Sequence, residues 1–148
     1  MMASQSTADE ARIQQQIDSL AQAIGDMDVG GVKHMYASDV VSFDVQPPLE
    51  RVGVEGKAQN WVDAFAVFQH PASYEVRNLT ITVGDGVAFA HGFARLSGTL
   101  KNGETTNGFW VRVTYCFRKI DDQWLIAHDH VSVPLDFASG RALLNLEP

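Results

Sequence analysis

Hydrophobic positions keep a helical period at the start of the chain and a strand period through most of the remainder. Ile13, Ile17, Leu20 and Ile24 recur at three and four, the spacing of one helical face. Asp9 and Glu10 stand in the first turn of that helix, with Ser6 or Thr7 as its expected cap. Residues 25–28 break the pattern, and a second short helix over 29–36 presents Val32, Met35 and Tyr36 inward. Val41, Phe43 and Val45 then alternate with Ser42, Asp44 and Gln46, a strand with two unlike faces that Pro47-Pro48 ends. A third helix follows Gly56, with Trp61, Phe65 and Phe68 at helical spacing, and stops at His70-Pro71. From Ser73 onward alternation dominates, giving strands over 73–83, 86–99, 106–119 and 123–133. Gly84-Asp85-Gly86, Lys101-Asn102-Gly103 and Asp121-Asp122 separate them with turn chemistry suited to antiparallel hairpins. Three helices followed by a long meander predict an α+β roll, a curved antiparallel sheet wrapped around N-terminal helices with a conical cavity between them.

Composition narrows the setting. A chain of 148 residues that is 45% hydrophobic can bury a full core without disulfides, and the sequence has no repeat, linker or low-complexity tract. One domain over 1–148 is expected, with a core over about 8–134 and a tail over 135–148. Cys116, the single cysteine, stands inside the strand pattern FWVRVTYCFRKI and reads as a small hydrophobe. The net charge of −7 lacks the clustered Lys and Arg that nucleic acid or an anionic membrane requires, so small molecules or proteins are the expected partners. No basic start leads into an apolar run, and no stretch approaches the roughly 20 apolar residues of a membrane span, so the expected compartment is the cytoplasm.

Candidate chemistry begins at Asp44, an acid among apolar neighbours on its strand. The run YASDVVSFDVQPPLERVG from Tyr36 to Gly53 resembles the ketosteroid isomerase segment in which a helix ends and the next strand delivers the catalytic base before a proline-containing loop and a glycine. Asp44 falls on that base. The run WLIAHDHVSVP from Trp124 to Pro134 is similar to the last strand of the calcium/calmodulin-dependent kinase association domain and to SnoaL-like domains. The chain is identified on these motifs as a member of the nuclear-transport-factor-like superfamily, in its SnoaL-like and ketosteroid-isomerase-like group. The resemblance implies a cystatin-like fold and a homodimer. It leaves the reaction open, because this fold hosts isomerases, hydratases, cyclases and non-enzymatic modules.

The same resemblance chooses between strand faces. On 86–99 one face carries Phe89, His91, Phe93 and Arg95, and the other Ala88, Ala90, Gly92, Ala94 and Leu96. His91 and Phe93 fall on pocket positions of the isomerase, and Arg95, in ARLSG, on a pocket arginine of the association domain, so the bulky face is expected inward. Matching parity turns Phe109, Val111, Val113, Tyr115 and Phe117 inward on the next strand, and Leu125, Ala127, Asp129, Val131 and Val133 on the last. Trp110, Trp124, His128 and His130 are then expected to form one exposed outer patch that a second copy covers. His128 and His130 share a face and can hold one ion, but no third ligand is identified and no metal is expected.

The isomerase polarises its substrate carbonyl with a tyrosine on the first helix and a protonated aspartic acid on a strand, the system from which the general rule for neutral buried carboxyls is drawn. Those positions fall here on Leu20 and Tyr115. The resulting expectation is a cavity built from Tyr36, Asp44, Trp61, Phe65, His91, Phe93, Arg95, Tyr115 and Asp129, binding a small, partly apolar molecule. In a cofactor-free proton-transfer isomerase, lyase or cyclase, Asp44 moves the proton, His91 assists, and Tyr115 or Arg95 stabilises the oxyanion. An Asp44–Arg95 pair would instead describe a binding pocket without catalysis, and a non-catalytic dimerisation module with a vestigial pocket is the alternative. The tail, with Phe137, Leu143, Leu144 and Leu146, is expected to pack across the pocket mouth or on the partner.

Overall fold

Nothing between Met2 and Ser6 breaks a helix, and in the computed structural model, which describes residues 2–148 with side chains from residue 5 onward, α1 runs Met2–Gly25. Ser6 and Thr7 therefore lie within it instead of capping it. Its stripe of Ile13, Ile17, Leu20 and Ile24 is buried in the core. α2 (Val29–Lys33) starts at Asp28, whose side chain accepts a hydrogen bond from the Gly31 amide at 3.0 Å, and ends early because Tyr36 already opens β1 (Tyr36–Phe43). β2 (Arg51–Val52) pairs back on β1, and α3 (Val54–Phe65) begins beyond Gly53. That glycine has a φ of 85° and donates its N–H to the Val40 carbonyl at 2.7 Å, a left-handed turn that aims α3 across the sheet.

The remaining strands are β3 (Ser73–Val83), β4 (Val87–Thr99), β5 (Thr105–Thr106), β6 (Trp110–Ile120) and β7 (Gln123–Ser132). They form one seven-stranded sheet in the order β2-β1-β7-β6-β4-β3, with β5 on β4. The sheet is mixed where an antiparallel one was expected: β1, the first strand, pairs parallel with β7, placing Ser42 beside Asp129 and Phe43 beside His130. The meander β3–β4–β6–β7 is antiparallel as its turns predict. No helix among the described residues is long and apolar enough to cross a membrane.

Strand parity on β4 is the reverse of the expected one. Ala88, Ala90 and Ala94 are buried, and Phe89, His91, Phe93 and Arg95 lie on the outer face. The register gives the reason: Ala88 stands opposite Phe117, Ala90 opposite Tyr115, and Gly92 opposite Val113. The large inward side chains of β6 fill the layer, so their neighbours on β4 must be small. On β7 a bulge at Ala127 shifts the register between the Phe117–Ile126 and Cys116–His128 pairs. Trp124 and Ile126 therefore point inward before the bulge, and Asp129 and Val131 after it.

The expected outer aromatic patch is corrected by the same parity. Trp124 is buried in the core, where its indole N–H donates to Asp9 at 3.2 Å. Trp110 is on the outer side but covered, with the Arg77 and Arg95 guanidinium groups 4.4 and 4.7 Å from its ring. His128 and His130 do lie outside, edge-on to Phe43, and His128 Nδ1 is 2.6 Å from the Val41 carbonyl oxygen. The tail folds on itself as a hairpin of β8 (Leu135–Asp136) and β9 (Arg141–Ala142). None of its residues lines the cavity, and Phe137 is 92% exposed.

Candidate functional site

Between α3 and the inner face of the sheet lies a cavity of about 360 Å³. Its walls are mostly apolar: Trp61, Ala64, Val67 and Phe68 from α3 and the segment after it, Ala94 and Leu96 from β4, and Val111, Val113 and Val131 from β6 and β7. Phe109 completes the wall from the connection between β5 and β6. Gly108 makes that possible, because its φ is 66° and a Cβ there would lie 1.9 Å from the Leu96 carbonyl oxygen.

The polar end is built by three elements. β1 turns Ser42 inward and places Asp44 just beyond its end; β7 supplies Asp129, the parallel neighbour of Ser42; α3 brings Lys57, Asn60 and Trp61 round one face. Lys57 Nζ lies 3.0 Å from Asp44 Oδ2 and 3.1 Å from Asp129 Oδ2, so one ammonium bridges two carboxylates. Asp129, 1% exposed, also accepts from the Tyr36 hydroxyl at 3.0 Å and from the Ser42 hydroxyl. Asp44, 18% exposed, accepts further from the Asn60 amide at 3.1 Å and from the Val45 backbone N–H at 2.7 Å. These three are the charged side chains that line the cavity among the described residues, an excess of one negative charge.

Electrostatics follow from burial and neighbours. Burial alone would push the Lys57 ammonium down, but Asp129 and then Asp44 outweigh it and hold its pKa above the ordinary lysine value. Tyr36 is pushed well above the usual phenol range by burial and then by the Asp129 charge. Burial does the same to Tyr115 and raises Tyr74 to about 12, so all three phenols are neutral at neutral pH. The Tyr74 and Tyr115 hydroxyls are 3.4 Å apart, and a single hydrogen bond between them leaves one O–H free to serve another acceptor.

Of the residues expected from sequence, Tyr36, Asp44, Trp61, Tyr115 and Asp129 line this cavity. Phe65 is buried behind Trp61, with ring centroids 5.7 Å apart, and does not line it. His91, Phe93 and Arg95 are on the opposite side of the sheet: His91 is exposed between Thr80 and Thr114, and Arg95 binds Glu75 at 3.2 Å. The partner of Asp44 is thus Lys57, not Arg95. Lys57, Asn60 and Tyr74 are cavity residues that the sequence reading missed. A signal for the first two exists, since Lys57, Asn60, Trp61 and Ala64 follow the three-and-four spacing of one helical face.

A family model described as SnoaL-like domain matches residues 13–136. A structure from Pseudomonas putida KT2440, an NTF2-like protein of unknown function, shares 31% identity with a TM-score of 0.86, covering 97% of this chain and 99% of that one. A ketosteroid isomerase-like protein from Erwinia carotovora atroseptica is similar at 21% identity and a TM-score of 0.68, over 82% and 93% of the two chains. A protein of unknown function with a cystatin-like fold from Nostoc punctiforme is similar at 16% identity and a TM-score of 0.71, over 86% and 92%. The last two carry the likeness of fold alone. Comparison with curated proteins finds no match.

Proposed function

We propose, on the premise that this chain belongs to the SnoaL-like domain family, that it takes up a small, partly apolar organic molecule in the cavity and moves a proton on it through Asp44 without a cofactor. The observation that carries this reading is the Asp44 carboxylate, fixed by Lys57, Asn60 and its own chain neighbour at the polar end of an otherwise apolar cavity. A fixed carboxylate within hydrogen-bond reach of a bound molecule has the geometry of a general base, and Lys57, unlike an arginine paired with Asp44 alone, divides its charge between Asp44 and the buried Asp129. The walls are mostly apolar, and the free O–H of the Tyr74–Tyr115 pair is a donor for an atom that gains negative charge. His91 and Arg95, outside the cavity, take no part.

The test is deuterium exchange. Small cyclic and aromatic compounds are incubated with the protein in heavy water, and incorporation into carbon–hydrogen bonds is followed by mass spectrometry. Asp44→Asn keeps the shape and removes the base, and is expected to slow the exchange by about two to four powers of ten with little change in folding. An Asn variant that exchanges as fast as the parent would remove Asp44 from the role.

A second reading, a non-catalytic dimerisation module, draws on the outer sheet face. Phe89 is 46% exposed there, on the same face as Phe93 and, across β6, the Phe43–His128–His130 ring cluster. Dimerisation and proton transfer use opposite faces of the sheet, so the two readings are compatible, and a protein that dimerises yet exchanges no proton would leave the second standing alone.

A further inference from the structure

Resting on the reading of the cavity as a small-molecule site, we infer that its ligand is an organic cation, a protonated amine or imine on an apolar body. The argument is one of charge. Asp129 has both oxygens occupied, one by Ser42 and the other by Tyr36 and Lys57, and is closed off from solvent. Lys57 is shared between the two carboxylates, so its single charge is spent on Asp129 and Asp44 together. Tyr36, Tyr74 and Tyr115 face the same space as neutral phenols. The guanidinium groups that stand between wall residues in sequence, Arg95 and Arg112, lie on the outer face, where Arg95 binds Glu75 and Arg112 donates to the Ser132 hydroxyl.

The excess negative charge therefore falls on Asp44, the more exposed of the two carboxylates that line the cavity. An anion entering this space meets like charge among mostly apolar walls, and a neutral molecule leaves the excess uncompensated. A cation neutralises it, and Trp61, Tyr74 and Phe109 are aromatic side chains in the cavity lining, a class that attracts a positive group. The same charge balance holds through a proton transfer. When a bond to hydrogen breaks on the cation, its electron pair stays with the ligand and an O–H bond forms on Asp44. Ligand and Asp44 are then both neutral, and Lys57 pairs with Asp129 alone.

Three probes of similar size test this on the full chain: 2-phenylethylammonium, 2-phenylethanol and phenylacetate, titrated calorimetrically at pH 7 and low salt. The ammonium is expected to bind about tenfold more tightly than the alcohol, and phenylacetate more weakly than either. Asp44→Asn, checked for folding by circular dichroism, is expected to reduce the preference for the ammonium over the alcohol to about twofold or less. The order of the three probes on the unaltered protein is decisive even if that variant fails to fold. Alcohol or phenylacetate binding as tightly as the ammonium overturns the inference and leaves the cavity reading intact; no binding by any of the three overturns both.

Discussion

Replacing Lys57 by methionine keeps much of its length and removes the charge that lies within 3.1 Å of both carboxylates. Asp129 would then be a buried charge without a counter-ion, and a loss of about 3–5 kcal/mol of folding stability is expected by urea denaturation. Tyr36→Phe removes only one of Asp129's donors and should cost about 1–3 kcal/mol in the same measurement. Alkali tests the same groups together. Lys57, Tyr36, Tyr74 and Tyr115 all hold their protons more tightly folded than unfolded. Above a pH of about 10 the unfolded chain releases protons that the folded chain keeps, so stability is full below that value and falls as pH rises further. A thermal midpoint that stays level from pH 9 to pH 11.5 would contradict this. At this scale the sequence made Asp44, Tyr115 and Asp129 visible through family resemblance and strand alternation, and Tyr36 through the inward face expected of a second helix. Lys57 stayed hidden because its buried position is set by two acids from elsewhere in the chain, Asp44 just past β1 and Asp129 on β7, and a lysine in the run Gly56-Lys57-Ala58-Gln59 reads locally as solvated.

The elements were legible where a period is long and uninterrupted, as along α1 and the four long strands, and less so where register decides. β4 offers two self-consistent faces, and only its pairing shows that the small one lies inward, Ala90 opposite Tyr115. The bulge at Ala127 is equally silent in the pattern, since Trp124-Leu125-Ile126 and Asp129-His130-Val131 each alternate correctly on their own. Two substitutions separate the faces. Ala90→Leu forces a larger side chain against Tyr115 and should cost about 1–3 kcal/mol, whereas His91→Ala, one residue along, should leave both the thermal midpoint and ligand binding where they were. The opposite result would restore the bulky face to the cavity.

At the scale of the molecule, the outer sheet face carries two phenylalanines of β4, Phe89, 46% exposed, and half-buried Phe93, with His91 between them. Sedimentation is expected to give about twice the 16.2 kDa chain mass, and Phe89→Asp to return the protein to the monomer mass with its fold unchanged. A monomer mass for the unaltered chain at micromolar concentration would refute the dimer. The parallel pairing of β1 with β7 bears on something else, the order in which the molecule can be made. Ser42 and Asp129 are 87 residues apart in sequence, yet their side chains share one hydrogen bond. During synthesis Asp44, Lys57 and Asn60 leave the ribosome long before the strand that carries Asp129, so an incomplete chain has the lysine and one acid but no buried counter-ion and no closed floor. Contacts spanning so much sequence form late and slowly. The cavity therefore exists only in a finished chain, and its ligand can serve as a reporter of complete folding.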